Sequence, residues 1–294
     1  MSDAITYFLL ISASFILRLF PLKFVQRSGS FTGSLLFHLV SSRRKIAYDN
    51  LTMCFPGESA KWKHDVVKEV FRNIGITLFE LLYFPKLTKR VLDDMISFAY
   101  YKLVDNALAK GKGLFLISGH ISNWEIMAYS YGKIFRKKLN IVAKSQSNKK
   151  VNKKVNEFRE LGGNRILEIG GSLREIFNIV KTNGIVCFLM DQSAHPDYSI
   201  YADFFGYRVA TFSGPAKMAL KMNPEIIFAY PERDKNYNYL YNVQSLDYSD
   251  LKGGATDENV LILTERINKL LENAIRQNPG QWLWVHRRFK HIQK

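Results

Sequence analysis

The chain has 294 residues, 47% apolar and 14% aromatic, enough to bury one large core or two small ones and too apolar for a disordered chain. Its 42 Lys and Arg against 26 Asp and Glu leave a formal charge of +16, which calls for an anionic partner: nucleic acid, anionic lipid head groups or an acidic carrier protein. Two cysteines, Cys54 and Cys187, exclude a disulfide framework and lack zinc spacing, so both read as ordinary buried small residues in a reducing compartment.

Residues 4–20 are nearly all apolar, with Arg18 the only charge. As a helix at about 1.5 Å per residue this run covers roughly 25 Å, a little short of the ~30 Å hydrocarbon core. No basic stretch precedes it and no small-residue cleavage site follows, so it is not a cleaved signal peptide. A second apolar run, 31–40, is followed by Arg43, Arg44 and Lys45, the flank of a cytoplasmic membrane face. Residues 1–45 therefore read as a membrane-associated helical segment, either spanning or lying in the plane; the alternative is a buried amphipathic pair.

Residues 43–56 and 59–86 carry helical periodicity, the second ended by Pro85, and 91–110 reads as strand then helix. Short apolar runs at 113–118, 140–143, 165–169, 185–190 and 225–230 read as buried strands. Helical patterns at 124–135, 148–161, 171–182 and 213–222 separate them, the last opened by Gly214-Pro215. A strand at 237–243 and an amphipathic helix at 257–277 close the series. The alternation predicts an α/β fold: a mixed, mostly parallel central sheet flanked by helices, occupying 46–294 as one domain.

The sharpest local feature is Gly119-His120-Ile121-Ser122-Asn123-Trp124-Glu125, between a strand and a helix. Open α/β sheets place their sites at such carboxyl ends, and His is suited to take a proton near neutral pH. Glu125, about one helical turn on, can fold back to orient the imidazole, and the pair then activates a hydroxyl brought by a substrate. Ser122 and Glu125 also read as a capping box, which would make Glu125 structural. Asp191-Gln192 follows the strand at 185–190 and reads as a second strand-end feature or as a turn. No nucleotide-binding glycine loop and no His-Glu-x-x-His metal motif occurs. Residues 133–154 hold nine basic and no acidic side chains, a docking surface for an anionic partner or a solvated face. Trp282, Trp284 and Phe289 beside Arg287, Arg288 and Lys290 suit a membrane interface, or equally nucleic-acid stacking.

Taken together, these residues resemble the bacterial lipid A biosynthesis acyltransferase family, the late lauroyl and myristoyl transferases. The resemblance runs over nearly the whole chain: the apolar N-terminus, Asn50-Leu51, Phe55-Pro56, Gly119-His120 through Trp124-Glu125, Asp191-Gln192, Phe204-Phe205-Gly206 and 284–290. It implies a membrane-bound enzyme on the cytoplasmic face of the inner membrane. That enzyme moves a fatty acyl chain from acyl carrier protein to a hydroxyl of a lipid A precursor, with no cofactor or metal and no nucleic acid. His120 would be the general base and Glu125 its orienting carboxylate. Asn123, Lys144, Asp191, Gln192 and Arg287 would meet the substrates. Lys144 stands near where many members carry an Arg, so the charge is kept without the bidentate fork. The same chemistry on a lysophospholipid, amino lipid or phosphoinositide mannoside, and a membrane-associated nucleic-acid binder, are the alternatives.

Overall fold

In the computed structural model, which describes residues 3–98, 101–169 and 173–293, the apolar N-terminus folds as helices laid against the rest of the chain. These are α1 (Asp3–Leu17), α2 (Leu22–Leu39), α3 (Ser41–Cys54) and α4 (Ala60–Tyr83). Ser59 caps α4 by accepting the Trp62 N–H, and Pro85 ends it in a 3₁₀ turn. At 15 residues α1 is short, and among the described residues no helix is long and apolar enough to cross a membrane. The backbones of α2 and α4 approach at glycines: a Cβ on Gly33 would lie 2.2 Å from the Phe71 carbonyl oxygen, and one on Gly75 2.2 Å from that of Gly29. This contact buries Val25, Gln26 and Phe37 and turns Phe24, Phe31, Leu35 and Leu39 outward, where Phe8 and Phe15 of α1 are also exposed.

Thr88 accepts the Val91 N–H and starts α5 (Lys89–Met95), so a helix precedes the strand expected in 91–110. The strand shrinks to β1 (Ile96–Phe98), before α6 (Tyr101–Ala109). Then come β2 (Leu114–Ser118), α7 (Trp124–Phe135), β3 (Leu139–Ala143), α8 (Lys149–Glu160), β4 (Arg165–Glu168), α9 (Leu173–Lys181) and β5 (Ile185–Leu189). Residues 171 and 172 of the expected helix lie outside the described residues. A hairpin follows, β6 (Ser199–Phe204) and β7 (Tyr207–Phe212), turned by Phe205 and Gly206 at φ 55° and 80°. The hairpin was not expected, although Gly206 is the kind of residue such a turn requires. The chain continues through α10 (Gly214–Met222), β8 (Glu225–Arg233), β9 (Tyr239–Ser245) and α11 (Asp257–Gln277).

The main sheet has the order β1-β9-β8-β2-β5-β3-β4, and only β8 and β9 pair antiparallel. Central β2 is buried along its whole length, so its residues alternate between two cores. Phe115 and Ile117 face the core shared with α10 and α11; Leu114 and Leu116 face the one shared with α7 and α8.

The C-terminal aromatics are not a surface feature. Trp282, Trp284, Phe289 and Arg288 are buried. The Trp284 indole donates to the Pro279 carbonyl at 2.7 Å, and Arg288 donates to Ala210 O at 2.9 Å and Thr211 Oγ1 at 2.8 Å. Buried in this way, with Arg288 Nε alone of their polar atoms left without a hydrogen bond, these side chains are open neither to membrane contact nor to base stacking.

Candidate active site

Parallel pairing of β2 with β5 brings two loops together. Ser118 stands opposite Leu189, and the Met190 N–H donates to the Ser118 carbonyl at 2.9 Å. The residues that follow, His120 and Asp191, leave the same edge of the sheet side by side, 71 residues apart in the chain. His120 Nδ1 lies 2.7 Å from Asp191 Oδ1, while the His120 backbone N–H and the Trp282 indole each donate to Oδ2 at 2.7 Å. Burial alone would raise the Asp191 pKa. The charge of His120 and these three donors outweigh it and hold the carboxyl at about 2. With Nδ1–H given to Asp191, Nε2 is the acceptor nitrogen, and the exposed Gln192 side-chain N–H₂ donates to it at 3.3 Å. The Trp124 ring meets the imidazole edge-on at 4.7 Å. Behind the dyad, His286 Nε2 accepts the Ser193 N–H at 3.2 Å. Burial lowers the His286 pKa, with opposing help from Asp191, so this ring is held neutral.

Glu125 does not touch the imidazole, contrary to its expected role. Its carboxylate receives two hydrogen bonds from Arg159 of α8, at 2.8 and 2.5 Å, and one from the Trp124 indole at 3.2 Å. The capping box is not formed either. Asn123 is the N-cap, its Oδ1 accepting the Ile126 N–H at 2.9 Å, so Glu125 stands one position too early to reach back. Burial would weaken the Arg159 charge, and Glu125 more than offsets it. A forked cation thus reaches the cavity from the last turn of α8, paired with Glu125.

A cavity of about 550 Å³ lies between α7 and the sheet. Its body is apolar, lined by Leu116, Met127, Tyr131, Phe135, Ile141 and Tyr241. Its polar groups include His120, Glu125, Arg159, Lys144 and Gln192. Of the expected site residues, then, His120, Glu125, Lys144 and Gln192 line it. Asp191 is buried behind His120. Asn123 is buried in the α7 cap, and Arg287 is exposed; neither lines the cavity. Arg159 and Trp282 were missed: Arg159 reads as one more charge on a basic helix, and Trp282 as a surface aromatic. Among the described residues no group of three His, Cys, Asp or Glu is placed to hold a metal ion.

This arrangement is an imidazole whose Nε2 meets a single exposed amide, a guanidinium on the same cavity wall, and an apolar chamber. The family description for bacterial lipid A biosynthesis acyltransferases matches residues 1–291. The lipid A biosynthesis palmitoleoyltransferase of Escherichia coli (strain K12) is 25% identical over 266 residues, 89% of this chain and 83% of its own length. The lauroyltransferase of the same strain is 22% identical over 273 residues, 92% of this chain and 86% of its own. A lipid A biosynthesis acyltransferase of Haemophilus influenzae is 22% identical over 269 residues, 90% of this chain and 81% of its own. The chain is an acyltransferase and belongs to the bacterial lipid A biosynthesis acyltransferase family.

Proposed function

We propose that this enzyme takes a fatty acyl chain from an acyl carrier protein thioester and places it on a hydroxyl of a lipid A precursor, with His120 as the general base. The observation that carries the reading is the His120–Asp191 contact, which leaves Nε2 as the acceptor nitrogen at the edge of an apolar cavity. The acyl chain enters the cavity, each buried CH₂ contributing about 0.8 kcal/mol. The acceptor hydroxyl gives its proton to Nε2 as its oxygen attacks the thioester carbon. The oxyanion that forms meets the positive charge of Arg159, held in place by Glu125. The C–S bond then breaks, and His120 returns the proton to the leaving sulfur. Asp191 keeps Nδ1 protonated and stabilises the imidazolium between the two transfers. Lys144, at the cavity edge and exposed, and Gln192 meet the polar parts of the substrates. Arg287, exposed and outside the cavity, is left to the charged surface.

The partner assignment rests on charge. Acyl carrier proteins are acidic and lipid A precursors carry phosphates, and the exposed bases Lys133, Arg136, Lys138, Lys149, Lys150 and Lys153 lie on α7, α8 and the turn beyond α7. For the membrane, α1 and α2 lie in the plane of the cytoplasmic leaflet of the inner membrane, their exposed Phe and Leu side chains in the lipid.

The test is acyl transfer by the detergent-solubilised full chain, offered acyl carrier protein thioesters with a lipid A precursor and, separately, lysophospholipids. Mass spectrometry reads the products. We expect a mass gain on the lipid A precursor that is lost in His120→Ala. Gain only on a lysophospholipid would move the acceptor, and turnover in His120→Ala would sink the assigned base.

A further inference from the structure

The loop that carries His120 is gripped from beneath by a carboxylate outside the cavity. Glu80, near the end of α4, is fully buried. Three donors converge on it: Gln26 Nε2 of α2 on Oε1 at 2.6 Å, and Asn123 Nδ2 and the Tyr239 hydroxyl on Oε2 at 2.6 and 2.5 Å. Arg233 lies 3.8 Å from Oε2 and donates to the Tyr239 oxygen at 2.7 Å and to Thr77 Oγ1 at 3.1 Å. Thr77 in turn donates to the Ser122 carbonyl at 3.2 Å. The Glu80–Arg233 pair thus reaches Ser122 and Asn123, the residues between the His120 turn and α7.

Two features show that this segment is held and does not merely rest there. Ser122 has φ 50°, a left-handed conformation that a residue with a Cβ keeps only when its surroundings enforce it. Asn123 spends its oxygen on the α7 cap and its nitrogen on Glu80, so one side chain couples the buried carboxylate to the start of α7. Only an acceptor-only group satisfies three converging donors; a glutamine has one acceptor oxygen and would turn an N–H₂ towards other donors. A buried carboxylate is costly unless it is fully partnered, and leucine would fill the place without that cost.

We propose that Glu80 is a positioning residue for acyl transfer, acting through Asn123 to set the start of α7 and hence the placement of the His120 ring at the cavity. The proposal rests on the reading of His120 as the base.

The experiment measures kcat, donor KM and melting temperature for the full chain carrying Glu80→Gln, Asn123→Ser and both. Serine still caps a helix but is too short to keep the tie to Glu80, so the cap and the tie are separated. In each single variant we expect kcat to fall about ten-fold or more with donor KM within about two-fold, since misplacement of a reacting group by a fraction of an ångström acts on the chemical step. Asn123→Ser keeps the cap but removes one donor from buried Glu80, so its melting temperature should fall and kcat is read per folded enzyme. The double variant should lose no more than the worse single one, because both break one coupling. Wild-type kcat in Asn123→Ser, additive losses in the double, or losses that only follow the folded fraction would overturn the proposal. Should Glu80→Gln fail to fold, Asn123→Ser decides it alone. An inactive wild type would overturn the functional reading and this inference with it; an active wild type with unaffected variants overturns this inference alone.

Discussion

At the scale of single residues, the decisive pair is His120 with Asp191. Asparagine in place of Asp191 keeps the shape, but it can present its amide N–H to Nδ1 and stabilise the wrong tautomer. We expect Asp191→Asn to fold and to lose about 10²–10⁴ in kcat, read by the same mass assay. Its pH behaviour follows from the carboxyl's position at about 2, below its ordinary value of 3.8. A group depressed in the folded state stabilises that state above its unfolded pKa, and the contribution is lost as pH falls from 3.8 towards about 2. Asp191 therefore stays charged throughout the neutral range, and a weak-acid limb in the wild-type rate profile belongs to another group. His120 was legible as a candidate base from its place between strand and helix. Its partner was not, because the nearest carboxylate in the chain, Glu125, is claimed by Arg159.

At the scale of elements, α7 does two jobs. Its first turn carries the site, and its length roofs the cavity down to Phe135. There Phe135 and Phe98 meet edge-on at 4.7 Å, Phe98 meets Tyr241 at 5.2 Å, and the Tyr241 hydroxyl is fixed by Ser130 at 2.7 Å. A floor so constrained limits how long a chain fits. Phe135→Ala opens it, and we expect the preferred donor to lengthen by about two to four carbons, each extra buried CH₂ contributing about 0.8 kcal/mol. Competition among donors of graded length measures it, and an unchanged profile would show that the chain stops elsewhere. The elements themselves were readable where strand and helix alternate, from 113 to 190, because periods of 2 and 3.6 are local properties. The β6–β7 hairpin was not legible because its turn holds a phenylalanine, Phe205, at positive φ, where asparagine, aspartate or glycine is the usual signal. In 91–110 the order strand then helix was legible, but the helix before them was not, because Thr88, the cap that starts it, lies outside that segment.

At the scale of the whole molecule, the unbalanced charge and the outward apolar faces of α1 and α2 are the two features on which the proposed membrane contact rests. On the proposed in-plane placement of these helices, replacing Phe24 and Phe31 by Asp would withdraw two side chains from lipid, each contributing about 1.5–3 kcal/mol. We expect binding to vesicles containing anionic lipid to drop more than ten-fold in cosedimentation, with turnover on detergent-dispersed substrates kept. For the wild type, added salt should weaken vesicle binding only in part, since it screens the basic surface and leaves apolar insertion in place. Equal vesicle binding by the double variant would place the lipid contact on another face.

What the sequence determined by itself was whatever depends on neighbours in the chain: the α/β alternation, the strand-end position of His120, the net charge and the ordered motifs that resemble the family. What only the tertiary structure decided was which distant groups share a volume. Parallel pairing of β2 with β5 put Asp191 on His120, and the packing of α8 put Arg159 on Glu125. Burial of the C-terminal segment turned Trp282 from a surface aromatic into a hydrogen-bond donor to Asp191. The physical reason is the same in each case. A carboxylate, a guanidinium or an indole offers its polar atoms to any partner within reach, and in a folded chain reach is set by strand register and helix packing, not by sequence separation.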